Sequence, residues 1–126
     1  MSDPRPDTGQ KLRRQKAWRR GHVAEYLAAA FLMFKGYRIL AIRHRTKLGE
    51  IDIVARKGDL AVFVEVKSRR GAQEAIDAVS FSSQRRIRAA SDLWLARQPD
   101  FSRLSQRYDI VAMLPGRWPQ HFPDAF

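Results

Sequence analysis

With 126 residues and no cysteine, the chain can fill one hydrophobic core, and it excludes disulfide staples, thiolate zinc sites and a cysteine nucleophile. Its 44% apolar content is that of an ordinary globular domain rather than a disordered chain. The charge is less ordinary: 24 Lys and Arg against 13 Asp and Glu leave +11, an excess that attracts polyanions by releasing counterions from phosphate backbones. A merely basic surface, or contact with anionic lipid, is the alternative.

In chain order, residues 1–16 hold Pro4, Pro6, Gly9 and scattered charge without an apolar period, and are expected to form a flexible basic tail ahead of a single domain over 17–126. The basic start lacks the apolar stretch of a secretory signal. The longest apolar run, residues 27–34, is far shorter than the roughly 20 residues of a membrane span. A cytoplasmic protein with no membrane partner is therefore expected.

Residues 18–35 carry a helical period, with Val23, Leu27, Phe31 and Phe34 as the apolar stripe and Gly36 in the position of a C′ glycine. A strand is expected over 37–42, rich in β-branched and aromatic residues. Two alternating strands follow, over 49–56 and 60–68. In the first, Ile51 and Ile53 oppose Glu50, Asp52 and Val54; in the second, Val62, Val64 and Val66 oppose Phe63, Glu65 and Lys67. Gly58-Asp59 between them suits a type I′ turn. Residues 69–82 read as loop with room for one helical turn. A second helix over 83–97 presents Ile87, Ala90 and Trp94 inward, and Pro99 lies beyond its end. An apolar strand over 108–114 ends at Pro115-Gly116, and an aromatic tail over 118–126 is expected to pack back on the domain. The order is α-β-β-β-α-β, and the last strand can lie parallel to the third through a right-handed crossover.

The hairpin carries the chemistry. A two-residue turn sets Asp52 opposite Glu65 and Glu50 opposite Lys67, and any even loop keeps all four on one face. Two carboxylates about 5 Å apart repel by about 3 kcal/mol at an effective dielectric of about 20. A hard dication relieves that repulsion, because Mg²⁺ takes one or two carboxylates together with waters and phosphate oxygens. Lys67 would project beside it, to stabilise charge on phosphorus or steer the attacking water. The plainer reading is a salt-bridge patch, Glu50 with Lys67 and the other two acids with nearby arginines.

The pattern Asp52, Glu65 and Lys67 resembles the PD-(D/E)xK nuclease superfamily. More narrowly, Gly21-His22-Val23-Ala24-Glu25, Gly36-Tyr37-Arg38-Ile39-Leu40, Gly49-Glu50-Ile51-Asp52, Val62-Phe63-Val64-Glu65-Val66-Lys67 and Tyr108-Asp109-Ile110-Val111 resemble the YraN family of bacterial endonuclease-like proteins. The resemblance implies a restriction-endonuclease-like α/β core, a central mixed sheet flanked by helices. It also implies a catalytic set of Asp52, Glu65 and Lys67, with Mg²⁺ or Mn²⁺ on Asp52 and Glu65. By similarity to Holliday-junction resolvases it adds Glu25, and by similarity to related nucleases Gln84; Glu50 would tune the site. Arg43 and Ser83 stand where that family commonly carries asparagine and lysine.

Arg85, Arg86 and Arg88 on the polar side of the second helix could line a phosphate track or a solvated face. His22, His44 and His121 share no ligand spacing, and local hydrogen bonding is expected of each. The function expected is metal-dependent phosphodiester hydrolysis of DNA or RNA, with a non-catalytic nucleic-acid-binding module of the same fold as the alternative and a homodimer left open.

Overall fold

The computed structural model describes residues 8–126. Helix α1 runs Thr8–Phe34, followed by strands β1 (Arg38–Arg45), β2 (Glu50–Lys57) and β3 (Leu60–Ser68). A short helix α2 (Ala72–Asp77) leads into α3 (Phe81–Ala96), a 3₁₀ turn (Phe101–Arg103), β4 (Ser105–Met113) and β5 (Gln120–Phe122). The α-β-β-β-α-β core is present, extended by α2 and by β5, which the aromatic tail forms. One five-stranded sheet has the order β1-β2-β3-β4-β5; β3 and β4 are parallel and the other neighbours antiparallel. The crossover through α3 makes that parallel pair possible.

The two faces bury separate clusters. On one, α1 sets Ala28, Ala29 and Leu32 against Ile53, Ala55, Val62, Val64 and Val111. On the other, α3 sets Ile87, Ala90, Trp94 and Leu95 against Val54, Phe63, Tyr108 and Ile110. Phe63 anchors the second cluster, edge-on to Trp94 and stacked on Tyr108, both at 5.7 Å between ring centroids. Truncating a ring so enclosed typically costs about 3–5 kcal/mol.

Three local readings of the sequence need correction. Thr8–Lys16, read as tail, belongs to α1; with no proline or glycine from Gln10 to Arg20, the stretch is rich in good helix formers and needs no apolar face to be helical. The stripe chosen for α1 is not the buried one. Val23, Leu27 and Phe34 are 54%, 54% and 97% exposed, whereas Ala24, Ala28 and Leu32 face the sheet. Small residues let the helix approach a sheet face already filled by Ile53, Val62 and Val64. The exposed stripe instead borders an apolar groove of about 630 Å³ shared with Trp118 and Pro119. Finally, Ile51 packs in the α3-side cluster although Ile53 packs in the α1-side one.

The ends of the elements follow the expected chemistry more closely. Gly36 closes α1 at φ +95°, with Tyr37 N–H donating to the Leu32 carbonyl and Gly36 N–H to that of Met33, the paired bonds of a Schellman end. The β2–β3 loop is two residues long, since Lys57 pairs with Leu60. Only Gly58 of the two has a positive φ, +60°, which is the pattern of a type II′ turn rather than I′. Ser80 caps α3 by accepting from the Ser83 N–H.

Candidate metal and phosphate site

The β2–β3 ladder stops at Ile53↔Val64. Continued by one residue, it would press Asp52 against Glu65. Instead the Asp52 carboxylate takes over as backbone acceptor: Val66 N–H donates to Asp52 Oδ2 at 2.9 Å. Beyond this point β2 is paired to β1 alone. The strands part where the two acids stand, and the gap is a cavity of about 200 Å³ lined by Glu50, Asp52 and Glu65 with Ser83, Arg86 and Ile87 of α3.

Electrostatics mark this as a strained place for anions. Burial, then the Asp52 charge, pushes the Glu65 carboxyl up to about 8, against the pull of Lys67. Burial pushes Asp52 up to about 6, with Glu25 and Glu50 adding to the rise and the Val66 N–H and Lys67 opposing it. Glu65 is only 7% exposed. Lys67 Nζ lies 3.9 Å from Glu65 Oε2, on the face the parity argument required.

The salt-bridge patch is not what forms. Glu50 pairs with Arg45 at 3.1 Å rather than with Lys67, and among the described residues no arginine pairs with Asp52 or Glu65. The acids are left with one lysine and two backbone N–H groups between them, that of Val66 on Asp52 and that of Asp52 on Glu65. Among the described residues no three His, Asp or Glu side chains gather into a ready-made cage. That donor set suits Mg²⁺ or Mn²⁺, which keep waters and recruit phosphate oxygens, and does not suit zinc or a many-oxygen calcium site.

Glu25, on α1, reaches the site electrostatically: its charge acts on both Asp52 and Glu65. Its carboxylate is engaged by Arg43, Nη1 to Oε2 at 3.1 Å, and burial raises its own pKa despite that partner. Arg43 is the residue that spacing alone did not single out. It sits within β1 at φ +55°, a left-handed conformation that costs a non-glycine residue on the order of 1–3 kcal/mol. Its guanidinium also lies over the Tyr26 ring, 5.5 Å from the centroid.

The remaining site residues separate. Gln84 is outside the cavity wall; its amide donates to the Val79 carbonyl at 3.2 Å and ties the start of α3 to the segment before it. Of the three arginines only Arg86 lines the cavity. Arg88 lies over the Tyr108 ring at 4.6 Å, and Arg85 is exposed, so the three do not make one track. Gly49 explains how α3 comes so close: a Cβ there would stand 2.8 Å from the Arg86 carbonyl oxygen.

The histidines contribute no metal cluster among the described residues. His121 Nε2 donates to Asp109 Oδ2, 2.7 Å away, and the fully buried Asp109 also holds Arg107 through two 2.8 Å bonds. Those partners hold the Asp109 carboxyl down to about 2 despite burial, and the Asp124 N–H completes its shell. This network fastens β5 and the C-terminal turn to β4.

The profile of a protein family described as "Uncharacterised protein family UPF0102" matches residues 24–113, a span that includes Glu25, Asp52, Glu65, Lys67 and Arg86. The chain is 74% identical over 113 residues to a UPF0102 protein of Rhizobium etli, covering 90% of this chain and 93% of that one. A UPF0102 protein of Rhizobium meliloti is 64% identical over all 126 residues, the full length of both. One from Agrobacterium fabrum is 64% identical over 118 residues, 94% of this chain and 97% of its own.

Proposed function

The chain belongs to the UPF0102 family, and we propose that it is a divalent-metal-dependent nuclease hydrolysing phosphodiester bonds in DNA or RNA, allied to the PD-(D/E)xK superfamily and its Holliday-junction resolvases. The observation that carries this reading is the pair of buried Glu65 and half-buried Asp52, open to a cavity and, among the described residues, not neutralised by arginine.

Asp52 and Glu65 would hold Mg²⁺ or Mn²⁺; when bound, the ion supplies Lewis acidity toward a phosphoryl oxygen and lowers the pKa of a water. Lys67 sits beside Glu65 and offers a cation to charge that develops on phosphorus. Arg86 and Ser83 form the opposite wall, where a guanidinium fork and a hydroxyl can hold a phosphodiester. Glu25 and Glu50 set the local field. Gln84 anchors the start of α3, so we assign it a positioning role. The proposed partner is nucleic acid; among the described residues no helix is long and apolar enough to cross a membrane.

A non-catalytic binding module of the same fold is the second reading. Arg85, exposed and away from the cavity, favours it, because a phosphate contact there would not need the carboxylates. A cleavage screen over branched, single-stranded and duplex oligonucleotides with Mg²⁺ or Mn²⁺ separates the two. A nuclease loses cleavage with Asp52→Asn, Glu65→Gln or Lys67→Ala while keeping its affinity. Either ion should also raise the melting temperature, and Asp52→Asn should remove that rise. Oligonucleotide binding without cleavage of any structure selects the binding module. No binding at low salt rejects both.

A further inference from the structure

We infer that Arg43 is a phosphate-positioning residue of this site, stored on Glu25 until cation and substrate arrive; the inference rests on the metal-nuclease reading above. Arg43 lies in the middle of β1, where an extended backbone would be ordinary, yet its φ is +55°. Glycine or asparagine tolerates that conformation far better than a long side chain does. The strained backbone is accompanied by two contacts that aim the guanidinium at α1: the Glu25 ion pair at 3.1 Å and the Tyr26 ring at 5.5 Å.

The pair is not sealed. The Arg43 side chain is 25% exposed and that of Glu25 15%, so an incoming phosphate can reach the guanidinium. By the β1–β2 register, in which Ile42 faces Ile53 and His44 faces Ile51, Arg43 falls opposite Asp52. The backbone of Arg43 thus stands beside Asp52, and its guanidinium is tied to the carboxylate site through Glu25, whose charge acts on Asp52 and Glu65.

Two consequences of opposite sign follow. An unfilled Arg43 repels a dication and competes for Glu25. Once a cation draws on Glu25, the freed fork has a planar, bidentate match in a backbone phosphate. Arg43 thus opposes the metal alone and favours the nucleic acid.

The test is a paired titration of wild type, Arg43→Asn and Arg43→Lys. Mn²⁺ alone is titrated calorimetrically, and a fluorescein-labelled oligonucleotide with cleavage-resistant phosphorothioate linkages is titrated by anisotropy with Mn²⁺ present. Asparagine suits the left-handed backbone, so Arg43→Asn should fold. It should bind Mn²⁺ about fivefold more tightly, as expected for removing a unit charge near a dication. It should bind oligonucleotide about tenfold more weakly, with a salt slope shallower by about one. Arg43→Lys keeps the charge without the fork, so it should keep the slope and the wild-type Mn²⁺ affinity but lose part of the oligonucleotide affinity.

A merely structural Arg43 would lower both affinities together, or change neither the oligonucleotide affinity nor the salt slope, and either result overturns the inference. Asp52→Asn serves as the control for the underlying reading. If wild type binds Mn²⁺ no better than Asp52→Asn, the metal-site reading has failed and this inference falls with it. If wild type binds and Asp52→Asn does not, a flat response to Arg43→Asn refutes Arg43 alone.

Discussion

Replacing Glu65 by glutamine should make the metal-free protein more stable, by a margin that grows with pH. The Glu65 carboxyl is 7% exposed and pushed up to about 8, first by burial and then by the Asp52 charge, whereas in an unfolded chain it titrates at its ordinary 4.5. Between those values the folded protein carries a proton that the unfolded chain has released. The associated stability is full below 4.5 and is lost as pH rises through about 8. Each pH unit in that window is worth about 1.4 kcal/mol, so ionisation costs wild type roughly 3 kcal/mol by about pH 7. Asp52, pushed up to about 6 from 3.8, adds a loss of the same sign at lower pH. Asp109 has the opposite sign, since its stabilisation is present above 3.8 and fades only toward about 2, so it is silent in this range. Glutamine keeps the shape of the protonated acid and never ionises. In urea unfolding the variant should match wild type near about pH 5 and exceed it by up to roughly 3 kcal/mol near about pH 7, or roughly 10 °C in melting temperature. Mn²⁺ should stabilise wild type far more than the variant. A margin that does not change with pH, or a variant less stable than wild type near about pH 8, would refute the claim that Glu65 is buried against a like charge.

Other perturbations probe the frame around the pair. Gly49→Ala places a Cβ 2.8 Å from the Arg86 carbonyl oxygen, so α3 must shift; a loss of about 1–3 kcal/mol in urea unfolding and weaker Mn²⁺ binding are expected. Asp109→Asn strips the charge from a fully buried group facing Arg107 and His121, and should cost about 3–5 kcal/mol by chemical denaturation. Arg86→Glu should weaken oligonucleotide binding in anisotropy titrations without unfolding the protein. Arg88→Glu should instead lower the melting temperature, because Arg88 lies over Tyr108 and Phe126. Equal behaviour of the two arginine variants would contradict their separation on α3.

The hairpin was legible because its information is local. Period-two alternation on either side of Gly58-Asp59, with an even loop, requires Glu65 and Lys67 to share a face with Asp52 whatever the rest of the chain does. The buried face of α1 was not legible, because two apolar stripes lie one residue apart. Bulk favoured Val23, Leu27 and Phe34; the sheet selected Ala24, Ala28 and Leu32, and only the partner surface decides between them. The positive φ of Arg43 leaves no trace in composition or spacing. Nor could helical periodicity choose Arg86 over Arg85 and Arg88, since the choice depends on the close approach that Gly49 permits. The turn type was missed for a related reason: Gly-Asp serves I′ and II′ alike, and both turns suit the twist of the flanking strands.

The place where the ladder ends bears on why the acids are there at all. Two opposed carboxylates within a continuous hairpin would keep their backbone bonds and carry the full mutual repulsion. The protein instead gives up pairing beyond Ile53↔Val64 and spends the Asp52 carboxylate on the Val66 N–H. An apolar pair at 52 and 65 would extend the ladder, close the cavity and remove the need to protonate Glu65 near neutral pH. Stability alone therefore disfavours the observed residues on three counts, and the proposed cation would reverse each of them by neutralising charge, filling the gap and replacing the proton. A basic surface can hold nucleic acid without any of these features. On the proposed reading, the cavity, the broken ladder and the elevated Glu65 acquire a common use, since a divalent ion and a phosphate would meet between β2, β3 and α3.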